Sequence, residues 1–422
     1  LKVLRRSLLD SIGVAAIGSQ TDMARIGTKT ARTMFGATSA SAARCLFDGQ
    51  LASLAGVAMA GAITIDSIDA HDGTSPCKGH AGSAIFPALL ALADERSMPG
   101  QDFATSLALA SEICYRAGLT QHDTCADYHT SGAWTAVGVA AMTARVIGCN
   151  PMQIREAAGI GEYHGPRSQM MRCIDHPTMV RDGVGWGAPT GVMAGFLALN
   201  GFTGAPALTC EGPHWQDLGE TWKLVTDTHY KPYPCCRWAH PSIDAAADLM
   251  AEHHITHQQI SSVEIKTFHN ATRLAGHRPT TADEFAYSIA FPVACMIVRG
   301  QIGPSELAPE TLKDPEISRI STATHLIDDP HLTHISEGKR WAQVSLRLRD
   351  GRMFESSPRS PRGDVDMPLT DAEMTEKFHL FADPILGVKT AQTVENLCMN
   401  FDQLDVPGLQ SLLDLILSKP QI

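Results

Sequence analysis

Six ionisable residues crowd one stretch of the chain, DSIDAHDGTSPCKGHAG: Asp66, Asp69, His71, Asp72, Lys78 and His80. Gly73, Pro76, Gly79 and Gly82 fall among them, which marks a folded loop rather than a helix face. Carboxylates beside imidazoles fix a tautomer and raise its basicity, as proton transfer at a substrate carbon requires. The same groups can bind a divalent metal. A solvated acidic surface loop has the same composition.

Three other clusters carry chemistry. Tyr128-His129-Thr130-Ser131-Gly132 stands before a very apolar segment. A histidine at a helix N-terminus feels the positive end of the dipole, which disfavours its cationic form and suits a neutral acid–base group; a capping histidine has the same signature. The run from Arg181 to Gly187, RDGVGWG, lacks both the G-x-G-x-x-G spacing and a preceding strand, so it is no dinucleotide site. A cation leading into a helix N-terminus is nevertheless a good carboxylate receptor. In Lys231–His240, KPYPCCRWAH, two prolines stiffen a loop that holds Lys231, Arg237 and His240. Its adjacent cysteines do not fit zinc-ligand spacing. Neither a G-x-S-x-G elbow nor an H-E-x-x-H motif occurs.

The elements that must position these residues fall into two kinds. LASLAGVAMAGAITI, SGAWTAVGVAAMTARVIG and GAPTGVMAGFLALNG place small residues at helical spacing, which lets helix backbones approach closely in an all-α core. One of these, near residues 188–199, is expected as a deeply buried helix after a loop. The opening LKVLRRSLLDSIGVAAIG is interrupted by Asp10 and reads as an amphipathic helix rather than a signal peptide. After about residue 235 the pattern changes. ISSVEIKTF alternates like a strand, and AQVSLRLRDGRMFES reads as a hairpin with Val344, Leu346 and Leu348 on one face and Asp350-Gly351 at the turn. Thr370-Asp371-Ala372-Glu373 is a capping box that opens another helix. The expected fold is mainly α, a large all-helical domain plus a smaller α+β lid domain. Residues 1–233 form the first part of the helical domain, 234–368 the lid, and 369–422 a helical return.

Composition excludes several classes. The 422 residues are 44% hydrophobic and 19% charged, ample for a buried core and unlike a disordered chain. A net charge of -11 argues against nucleic-acid or anionic-membrane partners. Eleven cysteines without a C-x-x-C pair read as reduced thiols in the cytoplasm. Glycines and prolines across 183–206 break any membrane-spanning helix.

Taken in order, RRSLLDSIGVAAIG, the DxxD…GHxG loop (Asp69, Asp72, Gly79, His80, Gly82), YHTSG, GxxAGFLALNGFTG, KPYPCC and PRGDVDMPLT resemble the MmgE/PrpD family. That family includes 2-methylcitrate dehydratase, cis-aconitate decarboxylase and iminodisuccinate epimerase. The resemblance implies homodimers, chemistry without metal or organic cofactor, and a pocket between helical domain and lid for a small carboxylate substrate. It implies that His80 and His129 are the active-site histidines, with Asp69 and Asp72 in the acidic loop and Lys231 leading into the lid. Family chains begin some tens of residues earlier, and those first helices are expected to be missing here. Two positions depart: Arg181 stands where many members have lysine, and Phe291 where many have tyrosine, with Tyr287 one helical turn earlier.

The expected reaction is β-elimination of water from a hydroxy di- or tricarboxylate such as a 2-methylcitrate-like acid, or its reverse. His80 is base and His129 acid, or the reverse, with Asp69 and Asp72 as orienters, Lys231 and Arg181 as clamps, and Lys78, Arg237 and Tyr287 as further contacts. Decarboxylation and epimerisation use the same parts. A metal-dependent hydrolase and a catalytically silent carboxylate binder are the more distant alternatives.

Overall fold

A computed structural model describes residues 1–274 and 276–420 of the chain. The fold is mainly α, 59% helical, with a smaller α+β region. Helices Leu54–Asp66, Gly82–Arg96, Gly100–Thr124, Gly132–Val146 and Val184–Leu199 pack through alanine and glycine. The small-residue stripe has the expected effect: a Cβ at Gly187 would stand 2.6 Å from the Gly132 carbonyl oxygen, and one at Gly191 would stand 2.6 Å from Val139 Cβ. Helix Val184–Leu199 differs from expectation in two respects. It starts earlier than residue 188, and one face is open, with Trp186, Met193 and Leu197 exposed. The small residues are the ones that pack, so the bulky apolar ones are left outside.

Helix Lys2–Gly18 shows why a carboxylate interrupts an apolar run. Asp10 is buried, and its carboxylate accepts from Lys377 Nζ at 2.6 Å. Lys377 lies on helix Asp371–Leu386, which opens with the Thr370/Glu373 capping box. Phe378 and Phe381 of that helix join the core built from the first half of the chain.

A second core gathers residues from Tyr233 to Leu348, joined by Met170, Cys173 and Ile174, around a four-stranded sheet. Strand Ile260–Thr267 pairs antiparallel with Ala342–Leu348, setting Val263 opposite Leu346 and Ile265 opposite Val344. Ala342–Leu348 continues through the expected hairpin into Met353–Glu355. On the other edge Thr324–Asp328 pairs parallel with Ile260–Thr267. Sequence reading does not anticipate this edge strand. Only Thr324 of it is buried, so it lacks the alternation that marks a half-buried strand.

The pairing that builds the site is shorter. Gly73–Thr74, inside the His/Asp loop, pairs antiparallel with Thr228–His229, just before Lys231. All eleven cysteines are free. Among the described residues no helix is long and apolar enough to cross a membrane.

Candidate active site

The loop between helices Leu54–Asp66 and Gly82–Arg96 is tightly wound. Asp69 and Lys78 take φ of 51° and 55°, a region non-glycine residues seldom occupy. Gly73 is required where it stands: a Cβ there would lie 2.7 Å from both His80 Nδ1 and His229 Nε2. The two imidazoles therefore close over a position only glycine can fill.

The His80 tautomer follows from its hydrogen bond. Its Nδ1 is 2.7 Å from the main-chain carbonyl oxygen of Asp72. A carbonyl only accepts, so Nδ1 carries the proton and Nε2 presents a lone pair. Burial, then the charge of Lys231, pushes the His80 pKa below its ordinary value. The ring is neutral as a result. Its main-chain N–H donates to Ser131 Oγ at 2.9 Å, and Nε2 lies 3.6 Å from Asp182 Oδ2.

His80 opens on a cavity of about 40 Å³ at the junction of the two cores. Lys231 enters it from the opposite wall, donating to the carbonyl oxygen of Asp69 at 3.0 Å and to the Asp69 carboxylate. Arg237 donates to Asp364 Oδ1 at 2.6 Å. Lys78 and Arg340 also line the cavity, and neither has a carboxylate partner within 4.0 Å among the described residues. Both also line a vestibule of about 540 Å³, together with Tyr128 and Trp238. These four residues form the throat between vestibule and cavity. The cations outnumber the carboxylates, so this is a place for an anion.

The MmgE/PrpD N-terminal domain model matches residues 1–217, and the MmgE/PrpD C-terminal domain model matches residues 233–403.

The chain belongs to the MmgE/PrpD family.

Curated relatives include a cis-aconitate decarboxylase-like protein, oryM, of Aspergillus oryzae. It is 23% identical over 83% of this chain and 80% of its own length. The cis-aconitate decarboxylase of Homo sapiens is 21% identical over 95% of this chain and 87% of its own length. That of Mus musculus is 21% identical over 99% and 89%.

Of the residues to which the sequence assigns a catalytic or substrate-binding role, His80, Asp69, Lys231, Lys78, Arg237 and Tyr287 all line the cavity. Three do not. His129 opens instead on a neighbouring groove of about 1220 Å³, its Nδ1 unbonded, with burial and Arg167 lowering its pKa. Arg181 lines that same groove, donating to Asp283 Oδ1 at 2.6 Å and to the Ser67 carbonyl at 2.9 Å. Its guanidinium also sits 5.3 Å from the centre of the Tyr287 ring. It thus ties the helical part to the α+β part. Asp72 lies behind the loop against Gly82, where burial and Asp10 push its carboxyl up to about 7. Its main-chain carbonyl, not its carboxylate, is what orients His80.

Phe291 is in the second core, edge to Phe285 at 5.6 Å. The phenol at the cavity is that of Tyr287, four residues earlier; the two are not one turn apart on a single helix as expected, because the chain breaks between helices Ala282–Ala286 and Ala290–Arg299.

Sequence reasoning missed His229, Arg340 and Asp182. His229 lies two residues before Lys231 and was detectable by that proximity. Arg340 carries no local signal. Asp182 was seen only as part of a glycine-rich loop.

Asp69, His71 and His80 each offer a ligand atom within 4.8 Å of the others, and all three are buried. Lys231 already holds the Asp69 carboxylate, so an ammonium supplies there the positive charge a divalent ion would bring. The cysteine pair at 235 and 236 has no part in this set, and His240 Nε2 is instead 3.1 Å from the Cys235 carbonyl oxygen.

Proposed function

We propose that the protein is a lyase that forms a carbanion beside a carboxylate of a small di- or tricarboxylic acid. The observation that carries this reading is the neutral His80, with Nε2 free, facing a cavity lined by Lys231, Arg237, Lys78 and Arg340. An imidazole base removes the proton next to a carboxylate. Fixed cations stabilise the enolate-like charge that develops, which is usually the largest electrostatic contribution. Lys231 is already held by Asp69, which leaves Lys78 and Arg340 to capture substrate carboxylates. A volume of about 40 Å³ holds little more than a water, so entry of the acid requires the α+β part to move as a lid.

Elimination of water, or its reverse, is the first reading. Decarboxylation is the second, favoured by three relatives named as cis-aconitate decarboxylase or decarboxylase-like. Incubation with 2-methylcitrate and with cis-aconitate, followed by product NMR and headspace CO₂, separates them. An unsaturated acid from methylcitrate supports the first, and CO₂ from cis-aconitate the second. Neither product from either acid counts against both.

The exposed Trp186, Met193 and Leu197 on helix Val184–Leu199 support a homodimer, and a light-scattering mass equal to one chain would remove it. Eleven free thiols fit a reducing compartment such as the cytoplasm.

A further inference from the structure

We propose that Asp182 is a further catalytic residue, a proton carrier that shares one proton with His80 across the cavity. The inference rests on the lyase reading above and replaces His129 as the acid.

The backbone around Asp182 is shaped to deliver its side chain. Arg181 has φ of 46° and Gly183 has φ of 69°, so Asp182 sits between two left-handed residues. A left-handed arginine costs energy that ordinary turns avoid, and such residues gather where a side chain must be aimed. The kink sends the Arg181 guanidinium to Asp283 and Ser67, while the Asp182 carboxyl lines the cavity. Asp182 is 3% exposed, and three bonds hold it: Ser131 Oγ donates to Oδ1 at 3.4 Å, its main-chain N–H donates to Asp66 Oδ2 at 3.3 Å, and the Gly132 N–H donates to its main-chain carbonyl at 2.9 Å. Ser131 also accepts the main-chain N–H of His80, so one hydroxyl positions both members of the pair.

The second observation is what Asp182 lacks. Asp69 is paired with Lys231 and Asp364 with Arg237, but no lysine or arginine nitrogen lies within 4.0 Å of Asp182 among the described residues. An ionised, unpaired carboxylate would repel the acid this cavity is built to hold. A protonated one does not, and it carries a proton to the place where one is needed. Burial shifts its pKa upward, in agreement, and His80 downward.

The steps balance. His80 Nε2 takes the proton from the carbon beside the carboxylate, and the C–H electron pair becomes the new C=C bond. The C–O bond breaks, and the departing hydroxide takes the Asp182 proton and leaves as water. The His80 imidazolium then returns its proton across the 3.6 Å gap to the Asp182 carboxylate, which resets both groups. In decarboxylation the C–C bond breaks, CO₂ leaves, and Asp182 protonates the carbanion. His80 then takes a proton from water and passes it to the Asp182 carboxylate, and the hydroxide left behind combines with the CO₂ as bicarbonate.

Two measurements test this. The first needs no substrate: NMR titration of the histidine rings in wild type and Asp182→Asn, with the His80 signal identified by its loss in His80→Gln. Removing the carboxyl should lower the His80 pKa and leave the other histidines in place. An unchanged His80 titration would overturn the pairing even if the lyase reading stands.

The second measures turnover and α-proton exchange in D₂O with citrate, 2-methylcitrate, cis-aconitate and tartrate. On an acid that the wild type dehydrates, Asp182→Asn should keep exchange within about tenfold while product formation falls by roughly 10²–10⁴-fold. His80→Gln should lose both. Equal loss of exchange and turnover in Asp182→Asn would make Asp182 a positioning residue for His80. Full activity there, with His129→Ala as impaired as His80→Gln, would return the acid role to His129. If Asp182→Asn does not fold, Ser131→Ala takes its place with the same split expected, and an unimpaired Ser131→Ala would count against the pair. A wild type inert towards all four acids is a failure of the lyase reading instead, and the titration still decides the pairing.

Discussion

Lys231 Nζ donates to both the main-chain carbonyl and the carboxylate of Asp69, 162 positions away in sequence. Both residues are buried, and the short antiparallel pair of Gly73–Thr74 with Thr228–His229 brings their segments together. Lys231 is therefore a positioned charge rather than a mobile one. Any substrate carboxylate it contacts is met at a fixed point, while Lys78 and Arg340 at the throat have no carboxylate partner within 4.0 Å among the described residues.

Removing half of a buried ion pair leaves the other half without compensation, at a cost of about 3–5 kcal/mol. Lys231→Met should accordingly lower the urea unfolding free energy by that amount, and Lys231→Met with Asp69→Leu should recover most of it. A double variant as unstable as the single would show that the two residues are not coupled.

His80→Gln should reduce turnover by roughly 10²–10⁴-fold without a change in melting temperature. The pH profile carries the same assignment. A base must be neutral to act, and burial lowers the His80 pKa, so kcat/KM should hold steady as pH falls to 6.5 and decline only below it. A decline centred above 6.5 would point to another base.

Arg340 donates through Nη1 to two main-chain carbonyls, each at 3.0 Å, and has no carboxylate partner within 4.0 Å among the described residues. Hydrogen bonds to charged groups contribute about 1.5–3 kcal/mol. Arg340→Ala and Lys78→Ala should each raise KM by roughly ten- to a hundredfold with a smaller change in kcat. Unchanged KM in both would mean that substrate enters elsewhere.

His71 is wholly buried, its ring nitrogens unbonded, and its pKa is held well below the ordinary value, first by burial and then by His80. The unfolded chain therefore binds a proton that the folded protein refuses as pH falls below about 6.5, and stability drops with it. Relative to His71→Phe, the wild type should lose about 1.4 kcal/mol per pH unit between 6.5 and the lowered folded-state pKa. A gap between the two that is independent of pH would contradict the assignment.

The helices were legible because they follow local rules. The small-residue stripe of Val184–Leu199 and the Thr370/Glu373 box are written in neighbouring residues, as is the Ala342–Glu355 hairpin. The loop holding Asp69 and His80 was legible as a folded loop, but its composition equally fits a solvated acidic surface, and only the fold shows these side chains buried. What sequence alone does not convey is direction. His129 and Ser131 are two residues apart, yet Ser131 supports His80 while His129 faces the neighbouring groove. Arg181 and Asp182 are adjacent, yet Arg181 lines the groove and Asp182 the cavity, with Arg181 itself in the left-handed region. Arg340 reaches the cavity only through the folding of the second core.

The most direct test of carbanion chemistry is proton NMR of the purified protein with citrate, 2-methylcitrate, cis-aconitate and tartrate in D₂O, alongside His80→Gln. The expected result is deuterium at the carbon beside a carboxylate in at least one acid or its product, absent with His80→Gln. No deuterium and no product from any of the four, or incorporation that persists in His80→Gln, would contradict it.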